Sequence, residues 1–182
     1  IGSLAPKTGH LMSVTIQTHY LKDDGTIPNN PLPMLVYPAA VNISGTDPAA
    51  AFEELFAKNR WTGGSWRNGI YPFPHYHSTA HEVLGMASGT AKVRLGGENG
   101  VVLNMQAGDV VLLPAGVGHQ NLGASADLLV VGAYPPDQDW DLCRGADGER
   151  PHVLDNIQNV PLPPSDPVCG NEGGTNEYWH NT

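Results

Sequence analysis

Two spaced blocks hold the residues whose types could do chemistry: Gly69-x5-His75-x-His77-x4-Glu82-x6-Gly89 and Gly108-x5-Pro114-x-Gly116-x2-His119. Three imidazoles and one carboxylate can form a complete ligand set for a divalent metal. His75 and His77 are two apart, so on an extended chain both side chains point to one face while Tyr76 points to the other. Ser78-Thr79-Ala80 can turn the chain into a new strand whose inward set is Glu82, Leu84 and Met86, leaving His81, Val83 and Gly85 outward. His119 follows a tight Pro-x-Gly turn and approaches from another strand, with Asn121 on the same face as His119.

Imidazole with a single carboxylate suits Fe, Mn, Ni, Cu or Zn better than Ca or Mg, which take all-oxygen shells. In octahedral geometry four protein ligands leave two positions for water, dioxygen or a bidentate substrate. A lone histidine in a small β protein is ordinarily structural. The pair on one strand, joined by Glu82 and His119 at these spacings, makes the metal centre the stronger reading. Glu82 is the candidate base as well as a ligand, since no other inward acid or base can be placed by spacing. Substrate-pocket candidates are Tyr71, Phe73, Leu84, Met86 and Asn121, with plain core packing as the alternative for the two aromatics. Arg67 could clamp an anion, although a salt bridge is its ordinary role, and Trp61 and Trp66 could form a rim or a subunit contact. No covalent nucleophile is evident, because Gly63-Gly64-Ser65 lacks the second glycine of a nucleophile elbow.

The elements that must position these groups read as short strands. Ala91 to Leu95 alternates with period two, Gly96-Gly97-Glu98-Asn99-Gly100 is a hairpin loop, and Val101 to Met105 returns. Val83 to Met86, Val110 to Leu113, His119 to Leu122 and Asp127 to Tyr134 complete a set spaced for a sandwich or small barrel. Lys92 and Arg94 belong to a solvated outer face. Asp47-Pro48 supplies a cap and a first-turn proline for one short helix through Phe52, Leu55 and Phe56 to Asn59. Upstream, Lys22 to Asn30 is turn chemistry and Leu32 to Tyr37 is extended, together suggesting an arm over residues 20–46. The barrel core is expected over about 61–135. Beyond it, the prolines at 161, 163, 164 and 167 predict a loop-rich tail over 136–182, anchored by Trp140, Ile157, Val160 and Trp179.

A chain of 182 residues with 22 Gly and 16 Pro fits one turn-rich domain. A net charge of −9 with only nine Lys and Arg argues against nucleic-acid or anionic-membrane partners. No run approaches the roughly 20 apolar residues that cross a bilayer, and the first eleven residues lack a signal-peptide apolar core. A cytoplasmic protein is expected. Met12-Ser13 reads as a native start, so residues 1–11 are set outside the fold. Cys143 and Cys169 are expected to be free thiols.

Both blocks resemble the two signature motifs of the cupin superfamily, with all four metal-binding positions filled by matching types. The likeness extends through Asp23-Asp24-Gly25-Thr26-Ile27-Pro28-Asn29-Asn30, the His75 to Gly85 segment, the Gly108 to His119 segment and Gly132-Ala133-Tyr134-Pro135, which resemble the YjlB-like single-domain cupins. It runs from about Tyr20 into the C-terminal region. One departure is that the second motif often places asparagine four residues after its histidine, where this chain has Gly123. The resemblance implies an all-β jelly-roll barrel (double-stranded β-helix) with one metal in its mouth, often assembled as a homodimer.

The functional expectation is a metal-dependent enzyme acting on a small oxygenated organic molecule. An oxidoreductase of dioxygenase type comes first, and a Lewis-acid isomerase, lyase or decarboxylase is the alternative. A third reading is a small-molecule-binding barrel whose metal is structural.

Overall fold

The structure, a computed structural model, describes residues 13–180, so the segment 1–11 set outside the fold on sequence grounds lies outside the described residues. Nine strands and three helices follow in the order β1 (Gln17–Leu21), β2 (Asn30–Tyr37), α1 (Pro48–Lys58), β3 (Ser65–Asn68), β4 (Glu82–Ser88), β5 (Thr90–Leu95), β6 (Val101–Gln106), β7 (Val110–Leu113), β8 (His119–Ala124), β9 (Leu129–Ala133), α2 (His152–Asn159) and α3 (Thr175–Tyr178). They form a six-stranded sheet, β1-β2-β7-β4-β9-β3, and a three-stranded sheet, β6-β5-β8, both antiparallel. Two facing antiparallel sheets with crossovers such as β2 to β7 and β4 to β9 make a cupin-type jelly roll.

Strand parity explains which residues go where. Met34, Leu84, Met86, Val111, Leu113 and Val130 of the large sheet meet Val93, Leu95 and Met105 of the small one in the barrel core. The alternate residues Leu35, Tyr37, Val83, Val110, Leu112 and Val131 pack outward, against Phe52 and Phe56 of α1 and against Trp179. The large sheet is therefore covered on both faces, which is why β7 and β9 read as unbroken apolar runs. In β5 the burial alternates, with Ala91, Val93 and Leu95 inside and Lys92 turned to solvent, while Arg94 pairs with Glu98 at 2.8 Å.

The helix expected from Asp47-Pro48 is α1, and Pro48 sits in its first turn. Asp47 makes no side-chain cap bond, however, because its carboxylate is engaged by Arg67 at 3.0 and 3.1 Å. The expected arm contributes β2 to the large sheet, pairing with β7, and β1 precedes most of it. β1 and β3 were not legible as strands. β3 is held by a full ladder to β9, in which Trp66 stands opposite Gly132. A Cβ at position 132 would come within 2.0 Å of the Trp66 indole, so glycine there lets the ring lie against the sheet.

The tail is largely irregular but contains α2 and α3, which the prolines alone did not reveal. Two of its expected anchors, Ile157 and Trp179, are buried, and the Trp179 indole donates to the Pro33 carbonyl at 2.9 Å. Trp140 is not an anchor. It is half exposed and stands at the mouth of a cavity described below. Trp61, expected at a rim or a subunit contact, is core, with its indole N–H on the Ser165 carbonyl. Both cysteines are free, and among the described residues no helix is long and apolar enough to cross a membrane.

Candidate metal centre

The cluster sits at one end of the barrel because four chain segments begin or end there. Glu82 opens β4 and His119 opens β8. The His75 and His119 backbones bond each other in both directions, at 2.8 and 3.2 Å, and Gly116 N–H donates to the His77 carbonyl at 2.7 Å. Gly116 has φ of +90°, the conformation that a tight turn before His119 requires and that side chains with a Cβ resist. Tyr76 points away as parity predicts, buried with Ile27, Cys143 and Val153.

His75, His77 and His119 are all buried, and one ring nitrogen from each lies within 4.8 Å of the others. Their Nδ1 atoms are spoken for. His75 Nδ1 faces the Phe73 carbonyl at 3.0 Å, His119 Nδ1 faces the Val117 carbonyl at 3.1 Å, and His77 Nδ1 faces the Asp141 carbonyl. A carbonyl only accepts, so each Nδ1 is the protonated nitrogen and each Nε2 presents a lone pair. That backbone partnership orients metal-binding histidines in general.

Glu82 completes the arrangement. Its Oε1 accepts a hydrogen bond from the Tyr134 hydroxyl at 2.8 Å, and that hydroxyl accepts in turn from the Trp66 indole at 3.0 Å. Its Oε2 has no hydrogen-bond partner and stands 3.2 Å from Nε2 of both His77 and His119. A buried oxygen lone pair facing two nitrogen lone pairs is repulsive unless a proton or a cation lies between them. The donor set therefore fits a divalent metal on the evidence of its own orphaned atom.

The electrostatics agree. Burial, with His119 and His77 close by, pushes His75 down to about 3, so it is neutral at ordinary pH. Burial works against a charge on His77, but the Glu82 carboxylate outweighs it and the net direction is upward. Burial likewise opposes the Glu82 charge, but without a metal a proton on the Nε2 side of His77 takes the cation's place, and the charge and hydrogen bonding offered by the histidines hold the carboxyl well below its usual range. His81 faces away from the cluster, accepts the Ala115 N–H at 2.9 Å on its own Nδ1 and packs on Trp179.

A cavity of about 460 Å³ opens onto the cluster, a size that suits a small organic molecule. Tyr71 and Leu84 line it. Phe73, Met86 and Asn121 do not. Phe73 stacks on Tyr71 with ring centres 4.9 Å apart and lies under the Arg144 guanidinium. Met86 is fully buried deeper in the barrel, and the Asn121 carboxamide turns onto its own strand to accept the Gly123 N–H. Trp66, expected at a rim or a subunit contact, stands on the wall, and sequence reasoning missed two further aromatic residues there, Tyr134 and Trp140. Tyr134 lay at the end of a recognisable strand, but nothing in its spacing told that its hydroxyl would reach Glu82.

The fold and the site together define a cupin-type barrel with a buried three-histidine, one-glutamate cluster in its mouth. The chain is 37% identical over 164 residues, 90% of its own length and 96% of the relative's, to the uncharacterized protein YjlB of Bacillus subtilis strain 168, and it belongs to that protein's family. No family model matches. Among solved structures, it is similar to an acireductone dioxygenase from Bacillus anthracis holding cadmium, with 15% identity, 58% of this chain and 79% of that one covered, and a TM-score of 0.39. A double-stranded β-helix protein from Klebsiella pneumoniae shares 17% identity over 79% of this chain and 99% of its own, with a TM-score of 0.32.

Proposed function

We propose that the protein is a metal-dependent oxidoreductase of dioxygenase type, with His75, His77, His119 and Glu82 holding one divalent transition metal. The observation that carries the metal is the convergence of the His77 and His119 Nε2 atoms on the unpartnered Glu82 Oε2. A redox-active ion bound there supplies the electron transfer between an organic substrate and dioxygen.

The protein's own groups do three things. The Nδ1-to-carbonyl bonds keep the imidazole rings turned toward one point. Trp66 and Tyr134 pin one oxygen of Glu82, leaving the other to face the histidines. Apolar walls, Leu84 and Ile70 among them, limit water beside the cluster. Among the described lining residues Glu82 is the sole carboxylate, with Oε1 on the Tyr134 hydroxyl and Oε2 turned to the histidines, so a Lewis-acid isomerase or lyase, which the same ligand set would also serve, would have to take its base from a metal-bound hydroxide. Arg67 lies on the same wall but is bound by both Glu53 and Asp47.

Elemental analysis of the purified protein, followed by oxygen-uptake measurements on diketones, phenols and sugar acids, tests the reading. Iron, manganese, nickel or copper with uptake on one class supports it. Zinc with no uptake on any class overturns it.

A further inference from the structure

We propose that the cavity beside the cluster takes an uncharged, planar aromatic molecule carrying two adjacent oxygens, seated against the ring of Trp140. The oxygens rest on the reading of the cluster as a metal centre; the aromatic ring does not.

Aromatic surface dominates the approach. Trp66, Tyr71, Tyr134 and Trp140 all contribute to the wall. Trp140 is 50% exposed and Tyr71 47% exposed, although both adjoin a cluster that is itself buried. Tyr71 already stacks on Phe73, whereas Trp140 stays half exposed at the mouth of the cavity and forfeits the burial that Trp61 and Trp179 obtain. Trp140 is also held in a defined pose. It lies nearly parallel to Tyr134, at 18° with ring centres 6.3 Å apart, and edge-on to His77 at 5.5 Å. A flat ring sliding into the cavity meets an already ordered platform, which lowers the entropic cost of stacking.

Charge narrows the class further. The cationic side chain on this wall is Arg67, and its guanidinium makes two bonds to Glu53 at 2.7 Å and two to Asp47 at 3.0 and 3.1 Å. Two carboxylates already exceed its single charge, so away from the cluster this wall offers no clamp for a carboxylate or phosphate. Hydroxyl-rich substrates fit poorly for a different reason. The Tyr134 hydroxyl is committed in both directions, and the Asn68 carboxamide oxygen accepts its neighbour's N–H. A sugar entering this space would find its partners at the mouth, in Ser65, Tyr71 and the Asn68 amide nitrogen, rather than beside Leu84 and Ile70. Two adjacent oxygens directed at the cluster, with the remainder of the molecule apolar and flat, satisfy every wall at once.

Calorimetric titration of 2,3-dihydroxynaphthalene into zinc-loaded and metal-free protein tests the inference, with cyclohexane-1,2-diol and gluconate as comparison probes. The aromatic diol is expected to bind roughly tenfold or more tightly than the saturated one, and gluconate to give no saturable heat. Trp140→Leu should weaken the aromatic diol by about tenfold, and Trp140→Phe, which keeps a ring, should restore most of the affinity. Gluconate binding more tightly, equal affinity for the two diols, or an unchanged affinity in Trp140→Leu would each overturn the proposal. Thermal melting of both variants checks that they fold. The two readings fail separately: a chain that takes up no metal yet binds the aromatic diol through Trp140 loses the oxidoreductase and keeps the cleft. A metal-loaded chain that consumes oxygen with gluconate loses the cleft alone.

Discussion

At the scale of single residues, the cluster is governed by which atoms are already committed. Every Nδ1 is tied to a carbonyl and one Glu82 oxygen to Tyr134, so the remaining lone pairs face one another. Removing one of them should empty the site: His77→Ala is expected to lower bound metal from near one ion per chain to below about a tenth of that, read by elemental analysis. Unchanged metal content would show that His77 is not a ligand. Tyr134→Phe takes away the hydroxyl that pins Glu82 and accepts from the Trp66 indole, and the expected cost is about 10-fold to 100-fold in metal affinity with the fold intact. Competition with a metal chelator measures it. His81, one residue from Glu82, behaves differently because it is buried without a charged partner. Burial pushes it down to about 4 from an unfolded value of 6.5. Above pH 6.5 neither state holds the proton and this group adds no pH dependence. As the pH falls from 6.5 toward 4, the unfolded chain takes up a proton that the folded chain refuses, and stability declines by up to about 3 kcal/mol. Urea unfolding of metal-free protein at pH 7 and pH 4.5 should show that decline, and His81→Asn should reduce it.

At the scale of elements, the segment after β9 holds one wall of the cavity in place. Asp141 accepts the Ser78 N–H at 2.6 Å and the Ser78 hydroxyl at 2.5 Å, and its own carbonyl faces His77 Nδ1. Asn156 of α2 donates to the same Ser78 hydroxyl, and Tyr76 exchanges backbone bonds with Cys143 at 2.9 Å each way. One carboxylate thus couples the tail to the extended segment that carries two histidines. Asp141→Ala is expected to weaken metal binding by about tenfold and to make the 137–145 segment more open to proteolysis. Wild-type cleavage rates in the variant would argue that the segment is held by its backbone bonds alone. β3 and β9 show how a glycine permits an element to form: Gly132→Ala would drive a methyl into the Trp66 indole, and a loss of about 1–3 kcal/mol in denaturant unfolding is expected.

At the scale of the whole molecule, the site joins parts far apart in sequence. Candidate ligands come from 75 to 119, wall residues from 64 to 140, and Ile157 of α2 and Trp179 at the end of α3 are buried against the rest of the chain. An ion that binds only the folded chain stabilises all of it by mass action. Removing metal with a chelator should therefore lower the melting temperature, and restoring it should reverse the change. A melting temperature indifferent to metal would place the ion outside the folded cluster.

The sequence by itself determined the strands of the barrel core, the inward set Glu82, Leu84 and Met86, and the ligand-type residues at 75, 77, 82 and 119. Period-two alternation and turn residues are local signals, legible over a few positions. Tertiary structure alone decided the rest. β3 exists because β9 pairs with it, Asp47 left its cap for Arg67, and Trp140 became a cavity wall while Trp61 became core. The Tyr134 link to Glu82 spans 52 positions, and the Asp141 link to His77 spans 64. Such contacts depend on how two sheets and a tail close on one another, and no periodicity in the chain encodes that closure. The choice of donors is thus written locally, whereas the tautomers, the orphaned oxygen and the aromatic mouth that give those donors their chemistry arise only on folding.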